Sequence, residues 1–463
     1  MTQTAIDRQK PNKRVVQGVK SIFDEFTKLE AFGGILLLIA TITAVVWANS
    51  PWSASYFAFW HTEISLHFGE WVLANDLSHW INDGLMAIFF FVVGLEIKRE
   101  VLAGELATLR KAILPVAAAI GGMFAPALIY VIVNAIADGN VTGWGIPMAT
   151  DIAFTLGVLA LIGKRIPLAL KVFVTALAIV DDIGAVLVIA LFYTAEIQWI
   201  YLAIALATLI VLFVFNRAGV SRPLPYVLLG LLVWGMFLYS GVHATIAGVL
   251  VAMTIPAYSF GNKQAFLTQS RDALDRYESA CEPDCGNSEE GRAERHYVSH
   301  SLGQLVHEIE SPLQRAEHAL HPWVTYLILP VFALANAGVA LSGEVGVFNP
   351  VSVGIILGLV FGKTLGISLM SWLTVRLGLA ELPENVEWRH VIGVSLLAGI
   401  GFTMSMFVAN LAFTDATLLA TSKVGVILAS TAAGLGGWLF LTLSTAPKRT
   451  MQTLAQRISQ AGK

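Results

Sequence analysis

The sequence predicts an all-α protein that crosses a membrane about twelve times, with inverted repeats and two interrupted helices (four and eleven) that cross near mid-membrane. Of its 463 residues, 56% are hydrophobic and only 13% are charged, and the mean hydropathy is +0.70. A soluble domain of this length needs about twice that charge to cover its surface. Hydrophobic windows predict helices over residues 29–50, 77–101, 112–136, 142–162, 167–193, 199–216, 223–239, 241–258, 320–341, 351–377, 389–413 and 421–445.

The basic residues predict how these spans are oriented. Of the 29 Lys and Arg residues, 27 lie in the tails, in the connections on one side or at the span ends next to them, whereas Lys363 lies in mid-span and Lys423 lies near the opposite side. Because cytoplasmic loops carry the excess of Lys and Arg, both termini are expected in the cytoplasm. The predicted organisation is a cytoplasmic tail at 1–28, spans at 29–258, an extended cytoplasmic loop at 259–319, spans at 320–445 and a second tail at 446–463.

One loop on the outer side, residues 51–76, is long and alternates aromatic with polar residues. This pattern suits a small β-hairpin, and an aromatic loop at the membrane interface is an equal alternative. An exposed strand edge invites pairing with another chain. A hairpin here would therefore favour a contact between subunits.

Three carboxylates lie in strongly apolar segments: Asp151, and the adjacent pair Asp181 and Asp182. An ionisable group in hydrocarbon costs on the order of several kcal/mol, so such residues indicate an ion or proton pathway. Consecutive helical residues point about 100° apart, so one of the pair is expected to face the pathway and the other a neighbouring helix. Lys363, also in mid-span, needs an acid partner among these three. The alternative is a purely structural buried ion pair.

Two of the predicted spans are interrupted by helix-breaking residues. Gly145 and Pro147 come just before Thr150, and Gly399 and Gly401 lie in the middle of the eleventh span. Broken helices at corresponding positions in two halves of a chain indicate an inverted-repeat transporter with its binding site at the midplane.

Seven stretches of the chain, in order, carry a resemblance to a known family. They are Trp80–Glu100, Ala149–Phe154, Ala178–Gly184, Gly241–Gly248, Leu320–Trp323, Gly362–Lys363 and Gly399–Ser405. With these stretches the chain resembles an NhaA-type sodium/proton antiporter over nearly its whole length. The resemblance implies an electrogenic exchanger in the bacterial inner membrane that extrudes Na+ or Li+ for H+ at alkaline pH and so regulates internal pH and sodium. It also implies a homodimer, for which the 51–76 loop is the expected contact, and no cofactor besides the transported ions.

The resemblance assigns roles to individual residues of this sequence. Asp182 is implied as the transport acid and Asp181 as its companion, so that Na+ is expected at these two carboxylates. Thr150 and Asp151 are implied at the helix crossing, and Lys363 as the mid-span lysine. The outer-funnel acid and the pH-response region correspond to Asp83, Glu96, Arg99, Glu100, His243, Glu317, His318 and His321.

Plainer interpretations stand beside these assignments. Asp83 could be an acid at a helix start, which the helix dipole favours. The charges from Glu96 to Glu100 could be a solvated, balanced helix end, and His243 could be structural. As a class, a sodium-coupled solute symporter of similar fold is the nearest alternative. An intramembrane aspartyl protease needs acids on two facing helices, whereas Asp181 and Asp182 are adjacent on one.

The extended loop at 259–319 is longer than the corresponding connection of the family. Apolar residues at helical spacing from Leu302 to Leu313 predict an amphipathic helix on the membrane face within it. The loop also holds both cysteines of the chain, Cys281 and Cys285. With His296 or His300 they are candidate metal ligands, although thiols on the reducing side of a membrane are typically inert.

Overall fold

The computed structural model describes residues 32–68, 71–194, 197–258, 263–280, 289–340 and 348–445. The expected all-helical membrane fold is confirmed, since nine helices in these ranges, or eleven spans with two bent pairs, are long and apolar enough to cross a membrane. The predicted tails at 1–28 and 446–463 and both cysteines lie outside the described residues.

The first half of the chain is helical apart from one hairpin. Its elements are α1 (Phe32–Ala48), α2 (Ser53–Trp60), β1 (Glu63–Phe68), β2 (Trp71–Asp76), α3 (Leu77–Ala103), α4 (Leu109–Ile136), a 3-10 helix (Val141–Met148), α5 (Ile152–Ile162), α6 (Leu168–Phe192), α7 (Trp199–Arg217), α8 (Pro223–Ser240) and α9 (Ala244–Thr254). Helix α9 has 11 residues and is shorter than the span predicted at 241–258.

The second half contains seven further helices. They are α10 (Lys263–Ser279), α11 (Glu289–Ile309), α12 (Pro312–Asn336), α13 (Pro350–Arg376), α14 (Trp388–Leu397), α15 (Phe402–Ala412) and α16 (Ala416–Ser444). Single π-helical turns interrupt α3 at Trp80–Leu85, α12 at Val324–Ile328 and α13 at Gly358–Gly362. Such turns often occur at functional sites.

The chain forms two compact units. The first contains residues 1–78, 108–188 and 325–463, and the second contains residues 79–107 and 189–324. Within the first unit, α13 packs closely on α4, because a Cβ atom added to Gly366 would lie 2.0 Å from the carbonyl oxygen of Gly121. The glycine pair therefore lets two helix backbones meet.

The segment before α3 is only partly the predicted hairpin. Strands β1 and β2 pair antiparallel, with Glu63 opposite Asp76 and Phe68 opposite Trp71. Residues 53–60, however, form helix α2, in which the buried Tyr56 donates a hydrogen bond of 2.8 Å to the carbonyl oxygen of Leu334. The hairpin thus begins about a dozen residues later than predicted.

Two helix boundaries in the long connection differ from the prediction. The amphipathic helix expected through Leu313 ends at Ile309, and a new helix, α12, starts at Pro312 rather than near residue 320. Ser311 caps this helix by accepting a hydrogen bond from the backbone N–H of Gln314. Proline fits the first turn of a helix, where its missing N–H is not needed.

Candidate functional site

Two broken helices of the first unit meet at their interruptions. The 3-10 helix ends at Met148 and α5 starts at Ile152, while α14 ends at Leu397 and α15 starts at Phe402. Non-helical backbone between the two halves of each broken helix leaves N–H and C=O groups without partners in their own helix, and the other broken helix supplies partners for them. The N–H of Asp151 donates to the carbonyl oxygen of Ile400 at 2.7 Å.

Side chains complete this exchange of hydrogen bonds. The hydroxyl of Thr150 donates to the carbonyl oxygen of Ala398 at 3.0 Å, and the hydroxyl of Ser405 donates to that of Ile146 at 2.7 Å. Thr150 and Ser405 are buried. Non-helical backbone at membrane depth is tolerated only where its polar groups are satisfied in this way.

Asp151 joins the starts of two helices. One carboxylate oxygen accepts from the N–H of Phe154 at 3.1 Å, so that Asp151 caps α5. The other accepts from both the N–H and the hydroxyl of Thr403, at 3.0 and 2.5 Å. Helix starts carry partial positive charge, and a carboxylate stabilises them. Asp151 therefore balances the charge of two facing helix ends.

The buried Lys363 of the first unit pairs with an acid of the adjacent pair. The ammonium of Lys363 donates to Oδ2 of Asp181 at 2.7 Å, and neither side chain is exposed to solvent. The other oxygen of Asp181 makes no hydrogen bond within the described residues. Of the three partners that the sequence left open, the structure thus selects Asp181.

Asp182 is equally buried, at 1% exposure, and its charge also acts on Lys363. Consecutive helical residues point about 100° apart, and Asp181 forms the ion pair with Lys363. The site therefore combines two carboxylates with one ammonium. Carboxylate oxygens are ligands that hard cations accept.

In the second unit, a charge cluster joins the end of α3 to the start of α12. Arg99 donates to Glu317 at 2.6 Å and to Glu100 at 3.2 Å. His321 lies 3.6 Å from a carboxylate oxygen of Glu96. The structure thus brings together five of the seven residues assigned to the pH response. The other two, His243 and His318, lie elsewhere, as does the funnel acid Asp83.

His318 faces away from this cluster. Its side chain is 69% exposed and its ring lies 3.9 Å from Glu310. His243 is at the start of α9, where its Nε2 is 2.5 Å from the carbonyl oxygen of Tyr193. Asp83 lies in the π-turn of α3, and its carboxylate is 2.9 Å from the ring of His79.

Three residues with clear contacts carried no predicted role. Thr403 bonds Asp151, and His79 pairs with Asp83. Lys98 donates to the carbonyl oxygen of Met253, in the last turn of α9, and to that of Ile255, the residue after this helix. Thr403 could have been found from its place two residues after an interrupting glycine. The contacts of the other two depend on packing between helices.

A buried lysine–carboxylate pair, set in a unit that contains two crossed, broken helices, defines a multi-span membrane transporter of ions. The chain matches the family described as "Na+/H+ antiporter 1" over residues 24–441 and belongs to that family. The resemblance to NhaA-type antiporters is therefore confirmed, and membership makes the chain a transporter.

Two relatives with similar sequences agree with this assignment. The chain is 51% identical over 421 residues to "Na(+)/H(+) antiporter NhaA" of Oleidesulfovibrio alaskensis, covering 90% of this chain and 93% of the relative. It is 50% identical over 441 residues to the protein of the same name from Koribacter versatilis, covering 94% of each. A solved sodium proton antiporter from Methanocaldococcus jannaschii is 12% identical, with a TM-score of 0.45, over 93% of this chain and 98% of that one.

Proposed function

We propose that the chain extrudes Na+ or Li+ in exchange for H+ at Asp181 and Asp182. The observation that carries this proposal is a buried ammonium that bonds Asp181 next to a second buried carboxylate, Asp182. With all three groups ionised, they carry a net charge of −1. Either a cation or a proton neutralises it, so the two compete for one place, as exchange requires.

We assign the net movement of charge to the pair of Lys363 and Asp181. When a cation is bound by both carboxylates, Asp181 no longer pairs with the ammonium of Lys363. That ammonium is then buried without a counter-charge. Holding such a charge is costly, so Lys363 releases its proton. One proton from Asp182 and one from Lys363 per cation make the exchange electrogenic. A voltage-sensitive dye in proteoliposomes should therefore respond to added Na+, and the absence of a response would exclude this step.

The decisive experiment replaces Asp182, the acid to which we assign proton exchange. Asp182→Asn keeps the shape of the side chain and removes its titratable charge, so it should abolish cation-driven pH changes in proteoliposomes. Asp415→Asn is the matched control, because this exposed acid only caps α16 and asparagine caps helices as well. Parental exchange by Asp182→Asn would overturn the assignment.

The charge cluster of the second unit supports a second part of the proposal, activation at alkaline pH. Glu96, Arg99, Glu100, Glu317 and His321 bring carboxylates, a guanidinium and an imidazole together on two helices. Imidazole changes its charge between about pH 5 and 8. Exchange rates measured from pH 6 to 9 should rise with pH in the parent, and the rise should shift in Arg99→Gln. A profile identical to the parent would exclude the cluster from regulation.

We infer the cellular setting from the family and from the bias of basic residues. The chain is placed in a bacterial inner membrane with both termini in the cytoplasm, as a homodimer joined through β1 and β2. Replacing residues 63–76 by a short Gly-Ser linker should give monomers in detergent by light scattering. A deletion variant that remains dimeric would place the contact elsewhere.

A further inference from the structure

The end of α9 accepts hydrogen bonds from two neighbouring helices of the second unit. The ammonium of Lys98, on α3, donates to the carbonyl oxygens of Met253 and Ile255 at 2.7 and 2.5 Å. The side-chain amide of Asn216, on α7, donates to the carbonyl oxygen of Thr254 at 2.6 Å. The last carbonyl groups of a helix have no partners within that helix. Lys98 and Asn216 therefore satisfy groups that α9 itself leaves free.

The chain just after α9 is also bonded to α12. The backbone N–H of Leu313, in the first turn of α12, donates to the carbonyl oxygen of Pro256 at 3.1 Å. Leu313 lies four residues before Glu317, so both residues are on one face of α12. The end of α9 thus connects the two helices that carry the charge cluster, through Lys98 on α3 and through Leu313 on α12.

Helix α3 faces α9 and the charge cluster with different sides. Gly94, four residues before Lys98, packs against α9, because a Cβ atom added to it would lie 2.7 Å from the Cβ of Ala252. Residues at this spacing share a helix face. Glu96 is two residues from Lys98 and therefore points about 160° away from it. While Lys98 bonds α9, Glu96 is thus directed towards α12, where its carboxylate lies 3.6 Å from His321.

The chemistry of Lys98 suits the end of a helix. Its ammonium has three donors and can bond two carbonyl oxygens at once, and a cation stabilises the partial negative charge of a helix end. Lys98 forms no ion pair among the residues that the structure describes. Helix α9 has no ionisable side chain. Of the other charged groups at this end of the unit, Arg315 donates to the carbonyl oxygen of Ser221, and Arg217 lies over the ring of Phe213.

We propose that Lys98 is a positioning residue of the charge cluster. By fixing α3 to the end of α9, and through it to α12, Lys98 sets the distances of Arg99 and Glu96 from their partners on α12, and with them the pH at which exchange becomes active. This inference rests on the proposed activation by the cluster and adds a residue whose side chain bonds none of its members. The loss of Lys98 should therefore move the pH profile without lowering the highest rate.

The pH dependence of exchange in proteoliposomes tests this role. Lys98→Met keeps most of the side chain but removes its charge and its donors. The midpoint of the rise should shift by about half a pH unit, the size that the loss of a helix-end interaction can produce, while the highest rate stays parental. Lys98→Arg keeps the charge and should stay closer to the parent. A parental midpoint in Lys98→Met would overturn the proposal.

Asn216→Leu is the matched control. It removes a bond to the same end of α9, but from a helix that carries no residue of the cluster. Both Asn216→Leu and Lys98→Met should lower the melting temperature in detergent, and only Lys98→Met should shift the pH profile. An equal shift in the two variants would show that any weakening of this helix end changes the profile, and Lys98 would lose its assigned role.

Combination with Arg99→Gln tests whether Lys98 acts through the cluster. The shift in the double variant should be smaller than the sum of the two single shifts, because both substitutions act on the same charges. Additive shifts would contradict this route. If the parent and Arg99→Gln share one profile, activation by the cluster is excluded and this inference with it. If Arg99→Gln shifts and Lys98→Met does not, the cluster keeps its function and only the role of Lys98 is excluded.

Discussion

Each of the two units contains an ion pair between two helices, and the pairs differ in their access to water. In the pair of Lys363 and Asp181 neither side chain is exposed, whereas Arg99 is 38% and Glu317 8% exposed. A buried pair has lost its hydration, so removing one partner leaves a charge with no compensation. A partly exposed pair is weakened by water and by salt.

This difference separates two kinds of charge site. The buried pair fixes a charge balance that only a bound cation or proton changes, which suits the step of exchange. The partly exposed cluster is open to the ions and the pH of the solution, which suits regulation. Substitutions in the two pairs should therefore differ in how much they lower the stability of the protein and in how strongly salt changes that effect.

The largest effect is expected at the buried pair. Lys363→Ala leaves Asp181 without its counter-charge and should lower the free energy of unfolding by about 3–5 kcal/mol. Thermal unfolding in detergent measures the loss, and exchange should be lost as well. Lys363→Arg, which keeps the charge, should unfold closer to the parent. Parental melting of Lys363→Ala would show that the pair does not stabilise the protein.

A smaller effect is expected at the helix crossing. Thr403→Val removes the hydroxyl bonded to Asp151 but keeps the backbone N–H, and should lower the free energy of unfolding by about 1–3 kcal/mol. Thr403→Ser keeps the hydroxyl and is the control. A misplaced carboxylate should also raise the KM for Na+. If valine and serine variants behave alike, the hydroxyl bond has no role in holding the crossing.

The partly exposed pair should show a weaker coupling. A double-mutant cycle with Arg99→Ala and Glu317→Gln should give a coupling free energy of about 1 kcal/mol or less. Raising KCl from low to high concentration should reduce it, because salt screens exposed charges. The coupling free energy between Lys363 and Asp181, measured in the same way, should not depend on the KCl concentration. A salt-independent coupling at Arg99 would remove the distinction between the two regions.

The smallest effect is expected from His321 and Glu96. Their attraction exists only while the imidazole is protonated, so His321→Gln should lower stability at about pH 5 and leave it unchanged at about pH 8.5. The difference should be about 0.5 kcal/mol, as for other partly exposed pairs. His318→Gln is the control, because that ring lies outside the cluster. A loss of the same size at both pH values would point to packing instead of charge.

Prediction from sequence was most complete where local patterns decide the structure. Hydropathy located most of the spans, and glycines located the two breaks. Hydropathy placed the start of α12 too late, because polar residues such as Glu317 and His321 lie in the first turns of that helix. Hydropathy cannot distinguish a helix with a polar face from a loop.

Prediction was least complete where partners come from distant parts of the chain. Helical geometry required Asp181 and Asp182 to diverge, but only the packing of α6 and α13 selects Asp181 as the partner of Lys363. The role of Asp151 likewise depends on where α15 starts, since the N–H of Thr403 is available only at that helix end.

The π-helical turn at Gly358–Gly362 has a consequence for the history of the gene. A π-turn holds one residue more than the same stretch of α-helix, while the helix on each side keeps its direction. One codon could thus be lost from this turn without turning Lys363 away from Asp181. Elsewhere in α13, a change of one residue would rotate the lysine by about 100°. Length variation among descendants of this gene should therefore concentrate in these five residues rather than in the rest of the helix.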